Sequence, residues 1–137
     1  MQHAYGSHYL NIGANRDDEK GFISYENGLN IAENISTYLR ENNAVLVAGE
    51  AENLSGDEII KARSNSKKET EWFYNVDETS LFLYFYGRED YPGQDRMTIT
   101  LSAMGNHPAE LMADLENILK ENVPKKNWPA SFLPADS

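Results

Sequence analysis

Apolar residues in this chain follow two rhythms, strict alternation in some stretches and a three-to-four spacing in others. His8-Tyr9-Leu10-Asn11-Ile12 places Leu10 and Ile12 on one face, and Phe22-Ile23-Ser24-Tyr25 follows the polar loop Gly13 to Gly21, a pattern that predicts an opening β-hairpin. From Asn30 onward, Ile31, Ile35, Tyr38 and Leu39 recur at helical spacing. Asn30 is the expected N-cap, Glu33 stands at capping-box distance, and the helix should stop at Asn42-Asn43. The continuous run Ala44-Val45-Leu46-Val47-Ala48 predicts a short buried strand. Ser55-x-x-Glu58 is a capping box that opens a second, short helix through Ile59, Ile60 and Ala62.

A polar connector, residues 64–70, leads into the stretch richest in β-formers. Trp72-Phe73-Tyr74 runs to a turn at Asp77-Glu78-Thr79, and Leu81-Phe82-Leu83-Tyr84-Phe85-Tyr86 follows. An uninterrupted apolar and aromatic run predicts a strand covered on both faces, hence the centre of the sheet. Pro92-Gly93 marks a turn within a loop from Arg88 to Asp95. Met97-Thr98-Ile99-Thr100-Leu101-Ser102 alternates, with the Thr/Ser face expected toward water. Pro108 suits the first turn of a helix whose apolar stripe is Leu111, Met112, Leu115, Ile118 and Leu119. Beyond Val123, the prolines Pro124, Pro129 and Pro134 rule out a further helix, and Trp128, Phe132 and Leu133 should hold the tail against the body. The expected fold class is α+β: an antiparallel-rich mixed sheet with two main helices packed on one face. At 137 residues the chain reads as one domain, with residues 1–6 and 134–137 expected to fray.

Charge changes the picture more than composition does. Asp and Glu number 22 against 12 Lys and Arg, for a formal net charge of −10. Between Arg40 and Lys61 there is no basic side chain, while Glu41, Glu50, Glu52, Asp57 and Glu58 all fall there. Such a field repels phosphate backbones and anionic lipid and attracts basic surfaces, so neither nucleic acid nor membrane is an expected partner. Cysteine is absent, which excludes disulfides, thiolate metal sites and a cysteine nucleophile. The opening Met1-Gln2-His3-Ala4-Tyr5-Gly6 has neither the basic nor the apolar segment of a signal peptide, and the longest apolar run, Leu81 to Tyr86, is far short of a membrane span. A cytoplasmic protein is the expectation.

Candidate chemistry is sparse. His3, His8 and His107 show no metal-ligand spacing, and surface or capping roles suit them better. Asp17-Asp18-Glu19 and Asp90-x-x-x-x-Asp95 lack the calcium-loop pattern and read as solvated loop charges. Ser7, Ser55, Ser102 and Ser131 lie outside any nucleophile-elbow context, and no phosphate-binding glycine loop occurs. No catalytic residue, metal ligand or cofactor is therefore assigned. The aromatic cluster Trp72, Phe73, Tyr74, Phe82, Tyr84, Phe85 and Tyr86 is a poor base-stacking platform, because Glu69, Glu71, Asp77, Glu78, Glu89 and Asp90 outweigh Lys67, Lys68, Arg88 and Arg96 around it. Core packing is its expected role, with outward tyrosines available as protein-contact anchors.

Tyr9-Leu10-Asn11-Ile12-Gly13, followed by Gly21-Phe22-Ile23-Ser24-Tyr25-Glu26-Asn27-Gly28, resembles the opening of some bacterial immunity proteins, which neutralise toxins delivered between neighbouring cells. The Pro-headed amphipathic helix with Trp128 in the extended tail is similar to the same group. The resemblance covers about a third of the chain. It implies a cytosolic α+β protein that binds one cognate toxin and has no catalysis of its own.

Charge and resemblance lead to one expectation: an acidic inhibitor, monomeric or weakly dimeric, that occludes a basic toxin domain acting on nucleic acid. The expected contact surface is Asp17, Asp18, Glu19, Glu50, Glu52, Asp57, Glu58, Glu89, Asp90 and Asp95. An acidic secretion chaperone remains an alternative, as does a small ligand-binding domain or enzyme with a site assembled from scattered residues.

Overall fold

The computed structural model describes residues 5–12, 23–49, 53–91, 94–106 and 108–128. In chain order the elements are β1 (Tyr5–Ile12), α1 (Tyr25–Glu41), β2 (Val45–Gly49), α2 (Gly56–Ser64), β3 (Glu69–Val76), β4 (Thr79–Tyr91), β5 (Gln94–Asn106) and α3 (Pro108–Asn122), followed by a short 3-10 turn at Lys125–Asn127. The strands form one sheet in the order β1-β5-β4-β3-β2, and every pairing is antiparallel. The fold class is α+β as expected, but the sheet is antiparallel rather than mixed.

Strand β4 is the middle member, which confirms Leu81–Tyr86 at the centre. Its expected covering on both faces is wrong. Burial alternates along β3 and β4: Thr70, Trp72, Tyr74, Val76, Leu81, Leu83 and Phe85 are buried, while Phe73 is exposed and Phe82, Tyr84 and Tyr86 are half-buried. All three helices lie on the buried side, where α1 and α3 contact β5 and α2 contacts β3. An antiparallel sheet needs only one covered face, and the run of apolar residues in β4 places alternate aromatic side chains on the open one.

The opening hairpin is also overturned. β1 pairs with β5, from Tyr5 opposite Asn106 to Ile12 opposite Ile99. Tyr5 and Gly6 therefore belong to a strand rather than to a frayed end. Ile23 and Ser24 are extended, with Ile23 O accepting Met97 N–H at 3.0 Å, but Tyr25 already begins α1. Ser24, not Asn30, is the N-cap: its hydroxyl accepts Asn27 N–H at 3.1 Å. Glu33 has a different partner from the one its spacing suggested. Its carboxylate accepts Gly56 N–H at 2.6 Å and so caps α2 from across the helix layer. The Ser55 cap holds as expected, accepting Glu58 N–H at 3.1 Å.

Between β3 and β4, Asp77 and Glu78 both have positive φ, 47° and 66°. They form a two-residue turn of the kind whose twist matches paired strands, and Thr79 is already in β4. At the far end β4 and β5 run well past the expected boundaries, so Arg88 pairs with Arg96 and Tyr91 with Gln94 where a loop was expected. Pro92-Gly93 lies outside the described residues.

Below the sheet the core joins Trp72, Leu81, Leu83, Phe85, Ile99 and Leu101 to Ile31, Ile35 and Leu39 of α1 and Leu111, Leu115 and Leu119 of α3. Ile118, expected to be free of solvent, is only half-buried. Full burial of each Leu, Ile or Phe side chain contributes about 1.5–3 kcal/mol. Two polar contacts tie α1 to α3: Tyr38 Oη donates to Asp114 Oδ2 at 2.8 Å, and Asn34 Nδ2 to Asn122 Oδ1 at 3.2 Å. Trp128 closes that end, half-buried, with its indole N–H on Val123 O at 2.8 Å. Phe132 and Leu133 are outside the described residues.

Candidate binding face

The open face of the sheet is built by the odd positions of β3 and the even positions of β4. Facing pairs put Phe73 opposite Phe82 and Glu71 opposite Tyr84, with Glu69 opposite Tyr86. The rings form a continuous ladder. Phe73 and Phe82 have centroids 4.8 Å apart, Phe82 and Tyr84 6.3 Å, and Tyr84 and Tyr86 6.4 Å. Ring pairs at these spacings attract one another by about 0.5–1.5 kcal/mol beyond their buried area, which holds the side chains in place before anything binds.

Apolar exposure continues beyond the ladder. Phe73 is 44% exposed, Met104 of β5 52%, and Val45 and Val47 of β2 63% and 68%. β2 is thus an edge strand, not the buried one its composition predicts. Its register slips between Leu46 and Ala48, a bulge of the kind that twists an edge away from further pairing. Only Leu46, opposite Tyr74, packs against the core.

Carboxylates interrupt this apolar surface. Burial pushes the Tyr84 hydroxyl above the ordinary tyrosine range, and the charge of Glu69 and a side-chain hydrogen bond to it push the same way, followed by Tyr86 and Glu71. The hydroxyl stays protonated beside the Glu69 carboxylate. A carboxylate beside an aromatic face is an arrangement that receives a guanidinium or ammonium: the ring faces attract the cation and the carboxylate pairs with it.

Of the expected acidic contact residues, the structure describes the side chains of Asp57 and Glu58 alone. Both lie in the first turn of α2, Asp57 exposed and Glu58 half-buried, in the helix layer and so on the opposite side of the sheet from the aromatic ladder. Asp17, Asp18, Glu19, Glu50 and Glu52 lie outside the described residues. Glu89 and Asp90 belong to β4 and Asp95 to β5, near the far end of that hairpin, and their side chains are not described. His8 is in β1, opposite Ala103; His3 and His107 are outside the described residues. Among the described residues no cluster of His, Asp and Glu is placed to hold a metal, and no helix is long and apolar enough to cross a membrane.

Sequence reasoning counted Glu69 and Glu71 only as obstacles to nucleic acid. Their signal was in the alternation Glu69-Thr70-Glu71-Trp72-Phe73-Tyr74, which sets both carboxylates on the face of Phe73 and opposite the face of Trp72. The chain matches no family model, no curated protein and no solved structure.

Proposed function

We propose that this protein is a protein-binding inhibitor whose open sheet face receives a basic segment of its partner, in the manner of an immunity protein occluding a toxin. The reading rests on the ladder Phe73-Phe82-Tyr84-Tyr86 flanked by Glu69 and Glu71. Aromatic anchors supply desolvated contact area, and the carboxylates select lysine or arginine over neutral partners. The net charge of −10 adds long-range attraction toward a basic surface and speeds encounter. A toxin that acts on nucleic acid carries such a surface by necessity, since it must hold phosphates. Covering that surface would suffice for inhibition without any chemistry by this chain.

The test takes a basic toxin domain acting on nucleic acid as candidate partner, with association and dissociation rates measured for wild type and three variants. Wild type should bind with an on-rate that falls as salt rises from about 50 to about 500 mM. Glu69→Lys with Glu71→Lys should slow association, and Tyr84→Ala should speed dissociation. Reversal of Asp57 and Glu58 to Lys probes the opposite side of the molecule. A complex weakened by that reversal and indifferent to changes at Glu69, Glu71 and Tyr84 would place the contact on the α2 side and overturn the open-face reading.

A further inference from the structure

Bases are scarce in this chain, yet three of them meet at one cavity. It has a volume of about 380 Å³ and lies between the end of α2, the chain entering β3, and Gly87 of β4. Arg63, Lys67 and Lys68 line it, together with the hydroxyl-bearing Ser66 and Thr70 and an apolar wall of Tyr25 and Ile59. No Asp or Glu is among the described lining residues; Glu58 belongs to a smaller neighbouring cavity that it shares with Lys61 and Lys67.

We infer that this cavity is a binding site for a small molecule with an anionic head, a phosphate monoester or a carboxylate, attached to an apolar body. Its size falls in the range of small-molecule pockets, and its lining has their usual division into apolar wall and few polar groups. The Tyr25 ring in that wall is held from two sides. Arg63 Cζ sits 4.2 Å from the centroid of the Tyr25 ring, and a Cβ at position 87 would come within 3.3 Å of that ring, so glycine there keeps the ring in place without crowding it. The Tyr25 hydroxyl is buried and has no hydrogen-bond partner among the described residues.

The simpler account is that bases gather here because α2 ends here, where the carbonyl end of a helix favours cations. That accounts for Arg63 in the last turn, and less well for Lys67 and Lys68, which lie beyond the helix in the chain leading to β3. It leaves the cavity and the Tyr25 hydroxyl without a role. The site lies on the helix side of the sheet, so it is separate from the aromatic face and does not depend on the function proposed for it.

The test titrates the full chain with phenyl phosphate, benzoate and phenol. Amide chemical shifts locate binding and calorimetry measures it. The expected result is saturable one-to-one binding of at least one anion, with shifts at Ser66, Thr70 and Gly87, and much weaker binding of phenol. Preference between the two anions identifies the head group. Lys67→Glu with Lys68→Glu changes two exposed side chains, and its fold is checked by thermal melting. It should weaken the anion by about tenfold or more, the equivalent of 1.4 kcal/mol. Absence of saturable anion binding at millimolar concentration, equal affinity for phenol, or binding untouched by the double reversal would each overturn the proposal.

Discussion

Met97 lies directly against Gly28. A Cβ built at position 28 would overlap Met97 Sδ and fall 3.0 Å from Met97 Cβ, and Met97 is itself fully buried. The glycine lets α1 pack close to β5 just where Ile23 and Ser24 bridge to the same strand. Gly28→Ala should therefore destabilise the protein by about 1–3 kcal/mol, although alanine is favoured over glycine in a helix by about 1 kcal/mol. Denaturant unfolding checks the sign. A gain in stability would mean that α1 and β5 are not in this contact.

The Tyr74 hydroxyl accepts Leu54 N–H at 2.9 Å within the core. Leu54 is fully buried, so its amide has no access to water once that acceptor is removed. Tyr74→Phe should cost about 1–3 kcal/mol, the penalty of a buried unsatisfied donor, while leaving the hydrophobic packing intact. Hydrogen exchange at Leu54 provides the specific readout, since its amide should lose protection more than its neighbours do.

Asp77 and Glu78 occupy left-handed backbone that glycine adopts freely. Glu78→Gly should stabilise the hairpin by about 0.5–1 kcal/mol, less whatever is lost with the exposed 3.2 Å hydrogen bond from Asn106 Nδ2 to the Glu78 carboxylate. Glu78→Ala loses the same hydrogen bond without relieving the backbone, so it should destabilise. Comparing the two melting temperatures separates turn geometry from the side-chain contact.

Tyr38 gives a prediction in alkaline pH. Burial, the hydrogen bond to Asp114 and the negative charge of Asp114 all hold its hydroxyl proton, raising its pKa well above the ordinary tyrosine value. The unfolded chain releases that proton near pH 10, whereas the folded chain keeps it. The resulting contribution to stability is complete below about pH 10 and is lost as pH rises toward the folded value. Unfolding midpoints measured from about pH 8 to about pH 11 should fall for wild type and fall less steeply for Tyr38→Phe. The variant should also lose some stability at neutral pH with its contact to α3.

Much of the fold was legible because local chemistry and tertiary structure agreed. Leu111, Met112, Leu115 and Leu119 keep helical spacing behind Pro108, and α3 spans Pro108–Asn122. Ser55 caps α2 through its own hydroxyl three residues from Glu58. The start of α1 was misplaced because Phe22-Ile23-Ser24-Tyr25 reads as a strand and Asn30 offers a cap, while nothing in the sequence marks Gly28 as a contact inside the helix. Its packing role is visible only when Met97 is brought beneath it. Val45 and Val47 read as buried because side-chain chemistry does not report whether a neighbouring strand exists.

The candidate face divides in the same way. Alternation in β3 already placed Glu69, Glu71 and Phe73 on one side of the strand and Trp72 and Tyr74 on the other, because successive side chains of a strand point to opposite faces. Sequence thus determined which side chains travel together, the helices their spacing permits, and the acidic field of the whole chain. Tertiary structure decided which side of the sheet the helices cover, that β1 pairs with β5, and that Arg63, Lys67 and Lys68 meet Tyr25 at one cavity. Those outcomes depend on contacts between residues far apart in the chain, and no local pattern encodes the choice among competing long-range pairings.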